Sequence, residues 1–150
     1  MDKKEIRSWK KVYEKDLSYI VHELKEILDT PSLILLEGTL GAGKTTFTKA
    51  FSDSEDTVSP SYSVISETKD IVHADFYRIK DREEIIHLEL SLYLENKNYF
   101  FAEWGEKHFS SIQKELSDEF SSYLIEITIN PKNSIKKVES RNFFLYEISA

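Results

Sequence analysis

The chain contains no cysteine, which excludes both a disulfide framework and a zinc site built on thiolates. Its longest apolar runs fall far short of the roughly 20 residues that a membrane-spanning helix needs. Basic charge is also scarce, because 20 lysines and arginines stand against 27 aspartates and glutamates, for a net charge of −7. Since phosphate neutralisation requires a basic face, this balance argues against a broad nucleic-acid-binding surface.

The composition that remains is that of an ordinary globular domain. The 150 residues, 40% of them hydrophobic and 31% charged, suffice for one hydrophobic core but leave little room for a separate substrate domain. We therefore expect a single domain over residues 1–150. The segment Met1–Glu5 has no apolar stretch behind it that would make a signal peptide, so a cytoplasmic protein is expected.

A complete phosphate-loop motif, G-x-x-x-x-G-K-[ST], lies in the N-terminal third of the chain. Its residues are Gly38, Thr39, Leu40, Gly41, Ala42, Gly43, Lys44 and Thr45, and Thr46 follows directly. An apolar strand candidate, 33–36, precedes the motif, and a helix candidate, 45–51, follows it. The glycines let backbone N–H groups surround phosphate oxygens, and the helix start adds its positive dipole end. The motif predicts a nucleoside triphosphate site in which Lys44 reaches the β- and γ-phosphates and Thr45 ligates Mg²⁺.

Helix and strand patterns alternate along the rest of the chain, without internal repeats. The residue spacing predicts helices over 16–28, 81–94 and about 106–120, and strands over 61–68, 71–77, 98–102, 122–129 and 142–148. Asp81 is the expected N-cap of the second of these helices. This alternation predicts an α/β sandwich with a mixed central sheet. Together with the phosphate loop it predicts a single-domain P-loop NTPase with three layers.

Two of the hydrophobic strand candidates end in a carboxylate, which is the pattern of a Walker B site. They are Val72–Asp75 and Phe100–Glu103. Ligands collect at the carboxyl ends of strands in open α/β sheets, so both acids are expected near the phosphates. One acid is expected to hold Mg²⁺ and the other to orient the attacking water, although each alone is also compatible with a solvated strand end. The hydroxyls of 59–63 are a weaker candidate for sensing the γ-phosphate, because serine and proline are common in turns.

Four blocks of the sequence, in this order, resemble the TsaE (YjeE) family. They are 36–47 with the phosphate loop, 59–63, 73–78, and the pair Glu103-Trp104. The block H-A-D-F-Y-R at 73–78, followed by the Glu-Trp pair, is much more specific than the loop. The resemblance implies an ATPase of bacterial threonylcarbamoyladenosine formation that supports the TsaB and TsaD proteins. Their target is adenosine 37 of tRNAs that read codons beginning with A.

The same resemblance implies cofactors, partners and residue roles. ATP and Mg²⁺ are the expected cofactors, and tRNA is expected to be reached through the complex rather than directly, with no membrane involved. Thr45 and Glu103 would ligate Mg²⁺, Lys44 would be the phosphate lysine, and Asp75 would be a second catalytic acid. Trp104 is expected near the nucleotide or a partner surface, although a core aromatic is an equally compatible reading.

Several positions are less well defined by the resemblance. Thr39 stands where the family usually has an acid. Ser61 stands where the family usually has threonine, and serine keeps the hydroxyl of threonine but lacks its methyl group. Ser61 therefore stays among the expected nucleotide-binding residues. For the adenine, the candidates are the segment 12–15 and Arg141.

Other classes of P-loop protein remain as alternatives. A small-molecule or nucleoside kinase normally adds an arginine-rich lid, whereas this chain has only Arg7, Arg78, Arg82 and Arg141. A GTPase needs the N-K-x-D motif, and Tyr99 stands where its guanine-pairing aspartate belongs. A nucleotide-binding subunit without hydrolysis would use the same residues as a slow ATPase, so the sequence leaves that alternative open.

Overall fold

The structure is a computed structural model that describes residues 1–39, 41–52, 64–132 and 139–150. The elements in chain order are β1 (Asp2–Val12), α1 (Leu17–Ile27), β2 (Ser32–Glu37), α2 (Lys44–Ser52), β3 (Ile65–Glu67), β4 (Ile71–Asp75), α3 (Arg82–His87), α4 (Leu90–Leu94), β5 (Tyr99–Glu103), α5 (Phe109–Lys114), β6 (Ser121–Ile129) and β7 (Arg141–Ser149). Short 3₁₀ turns, Glu14–Asp16 and Glu106–His108, precede α1 and α5. None of the helices within the described ranges is long and apolar enough to cross a membrane.

The described strands form one mixed sheet in the order β1-β7-β6-β2-β5-β4-β3. Strands β6, β2, β5 and β4 are parallel, whereas β7 is antiparallel to both β1 and β6, and β3 is antiparallel to β4. The register sets Leu36 beside Glu103, and Glu103 beside Asp75. The carboxyl ends of three neighbouring strands therefore meet at one edge of the sheet, immediately where the phosphate loop leaves β2.

Helices cover both faces of the sheet and give the expected three-layer sandwich. On one face, Ile34 and Leu36 of β2 pack in a core cluster with α1 and α2, and on the other, Leu33 and Leu35 pack with α3, α4 and α5. Because both faces of β2 are covered, the strand reads as a continuous apolar run rather than an alternating one. Phe51 of α2 contacts the ring of Phe101 edge-on at 4.9 Å, which anchors the helix that follows the phosphate loop.

The predicted helix over 81–94 is wrong in one respect, because it is two helices. Asp81 does cap the first one, since its Oδ1 accepts a hydrogen bond from the Glu84 backbone N–H at 3.0 Å. Helix α3 then ends, and Glu89 adopts a left-handed backbone with φ of 53° before α4 begins. The break reorients the chain so that Ile85 and Leu90 are both buried in the same core cluster. A regular spacing of apolar residues gives no sign of such a break.

The predicted helix over about 106–120 is also too long. It begins as a 3₁₀ turn, continues as α5 and ends at Lys114, where the next backbone N–H groups return to carbonyls three residues back. The chain must turn at this point because Ser121 donates its N–H to the Pro31 carbonyl at 3.0 Å and begins β6 beside β2. Pairing with a distant strand therefore sets the end of this helix.

Strand β1 has no counterpart among the sequence predictions. Its residues are mostly charged and exposed, and only Trp9 and Val12 are buried. It forms the edge of the sheet against β7, with register shifts between Glu5 and Arg7 and between Trp9 and Val12. Charged side chains and bulges are typical of edge strands, which must not recruit further strands, and they remove the alternating pattern that would reveal a strand. Of the predicted strand over 61–68, the described part forms β3, and residues 61–63 lie outside the described ranges.

Candidate functional site

The phosphate loop follows β2, and two of its positions require glycine. A Cβ atom on Gly38 would lie 2.9 Å from the Ile127 carbonyl oxygen and 3.0 Å from the Ala42 Cβ, so only glycine fits between the loop and β6. Gly43 has a φ of +103°, a conformation that side chains rarely adopt, and it immediately precedes the first residue of α2. The loop is closed by a hydrogen bond from the Ala42 N–H to the Thr39 carbonyl at 2.9 Å. Leu40, which was predicted to bind nucleotide, lies outside the described residues.

Lys44 carries a buried charge at the centre of the site. Its Nζ donates to the Gly38 carbonyl at 3.0 Å, lies 3.9 Å from Glu103 Oε1 and lies 4.1 Å from the centroid of the Trp104 ring. Lys44 and Glu103 are each only 7% exposed. A cation so placed, at the start of a helix and beside a loop of backbone N–H groups, favours an anion in the loop.

Trp104 lies beside the phosphate loop rather than in either core cluster. It is partly buried and adopts a left-handed backbone with φ of 58° directly after β5. Its ring faces the Lys44 ammonium, and Tyr77, which is exposed, meets it edge-on at 5.3 Å. An indole face attracts a cation, so the ring helps to hold the lysine in place. A non-glycine residue in this backbone region is uncommon and often marks a functional site.

The two acids that end hydrophobic strands lie next to each other. Glu103 and Asp75 are paired in register, and the Phe76 N–H donates to the Glu103 carbonyl at 2.9 Å. Asp75 is partly exposed, and its Oδ1 accepts a hydrogen bond from the Tyr77 N–H at 2.9 Å. One oxygen of Asp75 therefore holds a local turn, while Glu103 lies 3.9 Å from the Lys44 ammonium. Arg78, from the same block, is exposed.

The oxygen donors at this edge suit Mg²⁺ better than a softer metal. Within the described ranges no group of three or more histidine, cysteine or acidic side chains is placed to hold a metal ion. Thr45, on the first turn of α2, and Glu103 supply a hydroxyl and a carboxylate. Mg²⁺ in nucleotide sites is held by one or two such oxygen ligands, together with phosphates and water. The residues present therefore fit that ion.

A cavity of about 440 Å³ adjoins the loop on the side of β1 and β7. Its walls include Val12, Tyr13, Glu14, Leu17, Ala42, Gly43, Thr46, Lys132, Glu139, Arg141 and Phe143. Arg141 donates through Nε to the Ala42 carbonyl at 2.8 Å, so it braces the outer side of the loop. Most of the segment 12–15 and Arg141, the two candidates for reading adenine, thus line one cavity beside the loop. Ser61 lies outside the described residues.

Two residues of the site received no role from the sequence. His73 is buried, and its Nε2 lies 2.5 Å from Glu103 Oε2. Glu37 ends β2, and its Oε1 accepts a hydrogen bond from the Glu106 N–H at 3.1 Å. Burial raises the pKa of the Glu37 carboxyl above its ordinary value, and that hydrogen bond only partly offsets the effect. The block at 73–78 is a signal for His73, and the block at 36–47 includes Glu37, but neither block by itself indicates what the side chain does.

The raised pKa of Glu37 predicts a pH-dependent gain in stability for Glu37→Gln. The ionised carboxylate opposes folding at any pH where it is charged, and the glutamine carbonyl can still accept from the Glu106 N–H. We expect the melting temperature of the variant to exceed that of the parent near neutral pH. The gain should shrink as the pH falls toward 4, because Glu37 becomes protonated first in the folded state and then in the unfolded state.

Melting curves between about pH 4 and 8 check this prediction, with the exposed Glu95→Gln as the matched control. A loss of stability at neutral pH in Glu37→Gln, or an equal gain in Glu95→Gln, would contradict it.

Comparison with known proteins assigns this architecture to a family. The family model described as threonylcarbamoyl adenosine biosynthesis protein TsaE matches residues 12–141. The crystal structure of YdiB from Bacillus subtilis superimposes with a TM-score of 0.61 at 24% identity, covering 99% of this chain and 89% of that one, and it shows the same fold. No curated protein matches the chain in sequence. The matched span includes the phosphate loop, both strand-end acids and Arg141, and the chain belongs to the TsaE family of threonylcarbamoyladenosine biosynthesis proteins.

Proposed function

We propose that this protein binds ATP with Mg²⁺ and hydrolyses it slowly, in support of a TsaB–TsaD complex. That complex would form N6-threonylcarbamoyladenosine at position 37 of tRNAs that read codons beginning with A. The observation that carries the ATPase proposal is the convergence on Lys44, which brings the loop carbonyl of Gly38, the carboxylate of Glu103 and the ring of Trp104 to one ammonium group. The family supports the pathway.

In this proposal the phosphate loop binds the nucleotide through its backbone and through Lys44. The residues concerned would be Gly38, Thr39, Leu40, Gly41, Ala42, Gly43, Lys44, Thr45 and Thr46, and we propose Ser61 and Trp104 as further nucleotide-binding residues. Thr45 and Glu103 would hold Mg²⁺, which neutralises charge on the β- and γ-phosphates. Asp75 would orient the attacking water, since it lies beside Glu103 and is open to solvent.

The cavity beside the loop is the proposed site for the adenosine part of the nucleotide. It is continuous with the loop through Ala42 and Gly43, and Val12, Leu17 and Phe143 give it apolar walls of the kind that purine rings contact. Arg141 would act there mainly through its hold on the Ala42 carbonyl, which keeps the loop open toward the cavity.

We further propose that a partner completes the catalytic site. Three of the four arginines have partners within this chain: Arg7 with Glu23 at 2.8 Å, Arg82 with Glu115 at 4.0 Å, and Arg141 with the loop backbone. Only the exposed Arg78 remains as a candidate to stabilise γ-phosphate charge from within the chain. Groups supplied in trans raise the rates of related phosphate-loop enzymes by roughly 10³–10⁵. The net charge of −7 supports tRNA contact through the partners rather than through this chain. We expect the complex to act in the cytoplasm.

Depletion of the protein in its own cells tests the pathway assignment. We expect threonylcarbamoyladenosine in bulk tRNA to fall, because hydrolysis by this protein would support turnover of the modifying complex. Nucleoside mass spectrometry measures the modification. Re-expression of the parent chain should restore it, whereas Lys44→Ala should not. Unchanged modification after depletion would refute the pathway role and leave nucleotide binding as a separate question.

A further inference from the structure

His73 and Glu103 form a buried contact between neighbouring parallel strands. His73 is 2% exposed and lies on β4 two residues before Asp75, and Glu103 ends β5. Side chains alternate along a strand, so His73 and Asp75 point to the same face of the sheet. Phe101, the register partner of His73, lies on that face too, and α2 packs against it. A carboxylate oxygen accepts only, and His73 Nε2 therefore carries the hydrogen that it shares with Glu103 Oε2.

This contact divides the two oxygens of Glu103 between two partners. Oε2 is held by His73, whereas Oε1 lies 3.9 Å from Lys44 Nζ, which is too far for a hydrogen bond. Both groups are nearly buried, and the attraction between opposite charges is strong where water is excluded. Without His73, nothing among the described contacts of Glu103 would keep its carboxylate from closing onto the Lys44 ammonium. A direct ion pair of this kind would make Lys44 less available to a phosphate and would turn the Glu103 carboxylate away from the position that a Mg²⁺ ion would take.

The cost of His73 to stability indicates that its role is not simply to fill the core. Its Nδ1 atom is buried and has no hydrogen-bond partner among the described residues. A buried polar atom without a partner typically costs about 1–3 kcal/mol. His108, the other buried histidine, lies in the opposite layer, where its Nε2 contacts the Ile79 carbonyl at 3.0 Å. An apolar side chain at position 73 would avoid the orphaned nitrogen but would lose the contact with Glu103.

We propose that His73 is a positioning residue that holds Glu103 apart from Lys44, so that the carboxylate is free for Mg²⁺ and the lysine for phosphate. The inference rests on the proposed role of Glu103 as a metal ligand. Residues that orient metal ligands in this way typically contribute 10–100-fold to metal affinity.

The test compares His73→Leu, which removes the donor, with His73→Gln, whose side-chain amide can donate at a similar reach. His108→Leu is the matched control, because it replaces a buried histidine away from the phosphate site. For each protein, calorimetry gives the ADP affinity with and without Mg²⁺, and the Mg²⁺ concentration for half-maximal hydrolysis is measured separately. Circular dichroism and melting curves check folding.

We expect His73→Leu to require about 10–100-fold more Mg²⁺ for tight ADP binding, with a melting temperature equal to or above that of the parent. His73→Gln should recover much of the Mg²⁺ dependence, and His108→Leu should leave it unchanged. In a Glu103→Gln background, His73→Leu should add nothing further, because it acts only through Glu103.

The outcomes separate this inference from the proposed function. A normal Mg²⁺ requirement in Glu103→Gln would remove the metal role of Glu103 and this inference with it. A defective Glu103→Gln beside a normal His73→Leu would overturn the inference alone. So would additive effects in the double variant, or an equal shift in His108→Leu.

Discussion

Replacing Lys44 with alanine is expected to abolish detectable ATP hydrolysis while the circular dichroism spectrum stays unchanged. Lys44 is the one described cation that contacts Gly38, Glu103 and Trp104 together, so its loss removes the charge that the phosphate loop is built around. Preorganised charges aimed at a transferring phosphoryl group account for several orders of magnitude in rate. The measurement is single-turnover hydrolysis of ATP, with partner proteins present and absent.

Two further variants make this test specific. Lys49→Ala removes an exposed lysine from the same helix and should hydrolyse ATP like the parent. Lys44→Met keeps the apolar stem beside Trp104 without the charge, and it should be as inactive as Lys44→Ala. Near-normal hydrolysis in either Lys44 variant would contradict the proposal that Lys44 binds the nucleotide phosphates.

Replacing each strand-end acid by its amide is expected to affect a different property of the protein, the Mg²⁺ requirement in one case and the rate of hydrolysis in the other. Glu103→Gln should raise the Mg²⁺ concentration needed for both nucleotide binding and hydrolysis, because a metal ligand acts in the ground state as well as in the transition state. Asp75→Asn should slow hydrolysis by about 10²–10⁴-fold with nucleotide affinity largely kept, as expected for a group that acts on the attacking water. Titration of Mg²⁺ in binding and hydrolysis assays separates the two effects.

The structure supplies the controls for this pair. Asn at position 75 can still accept from the Tyr77 N–H, so the local turn should persist. Asp81→Asn makes the same chemical change at an exposed acid, the N-cap of α3, and should leave both assays unchanged. Exchanged signatures would reverse the roles of the two acids, and parental behaviour in both variants would remove the Walker B interpretation.

Much of the fold could be predicted from the sequence because its signals are local. The apolar spacing of α1, the continuous apolar run of β2 and the glycines of the loop can each be recognised within a short stretch of sequence, although the contacts they serve are with distant parts of the chain. The strands β4, β5, β6 and β7 lie within two residues of their predicted bounds at each end. The errors fall where distant contacts override local pattern, at the edge strand β1, at the break before α4 and at the early end of α5.

The candidate site divides in the same way. By itself, the sequence determined the phosphate loop, with Lys44 and Thr45 at its end, and the two hydrophobic strands that finish in Asp75 and Glu103. Each of these is a contiguous string whose chemistry follows from residue type and spacing. The sequence also carried the family resemblance, which the match over residues 12–141 confirms.

Only the tertiary structure decided through which contacts these groups meet. The parallel register of β2, β5 and β4 brings Glu103 to Lys44, the left-handed backbone of Trp104 turns its ring onto that ammonium, and the packing of β4 places His73 against Glu103. The antiparallel pairing of β7 with β6 brings Arg141 to the Ala42 carbonyl in the same way. Contacts between strands far apart in the chain depend on register, and a change of one residue in register would turn each of these side chains to the opposite face.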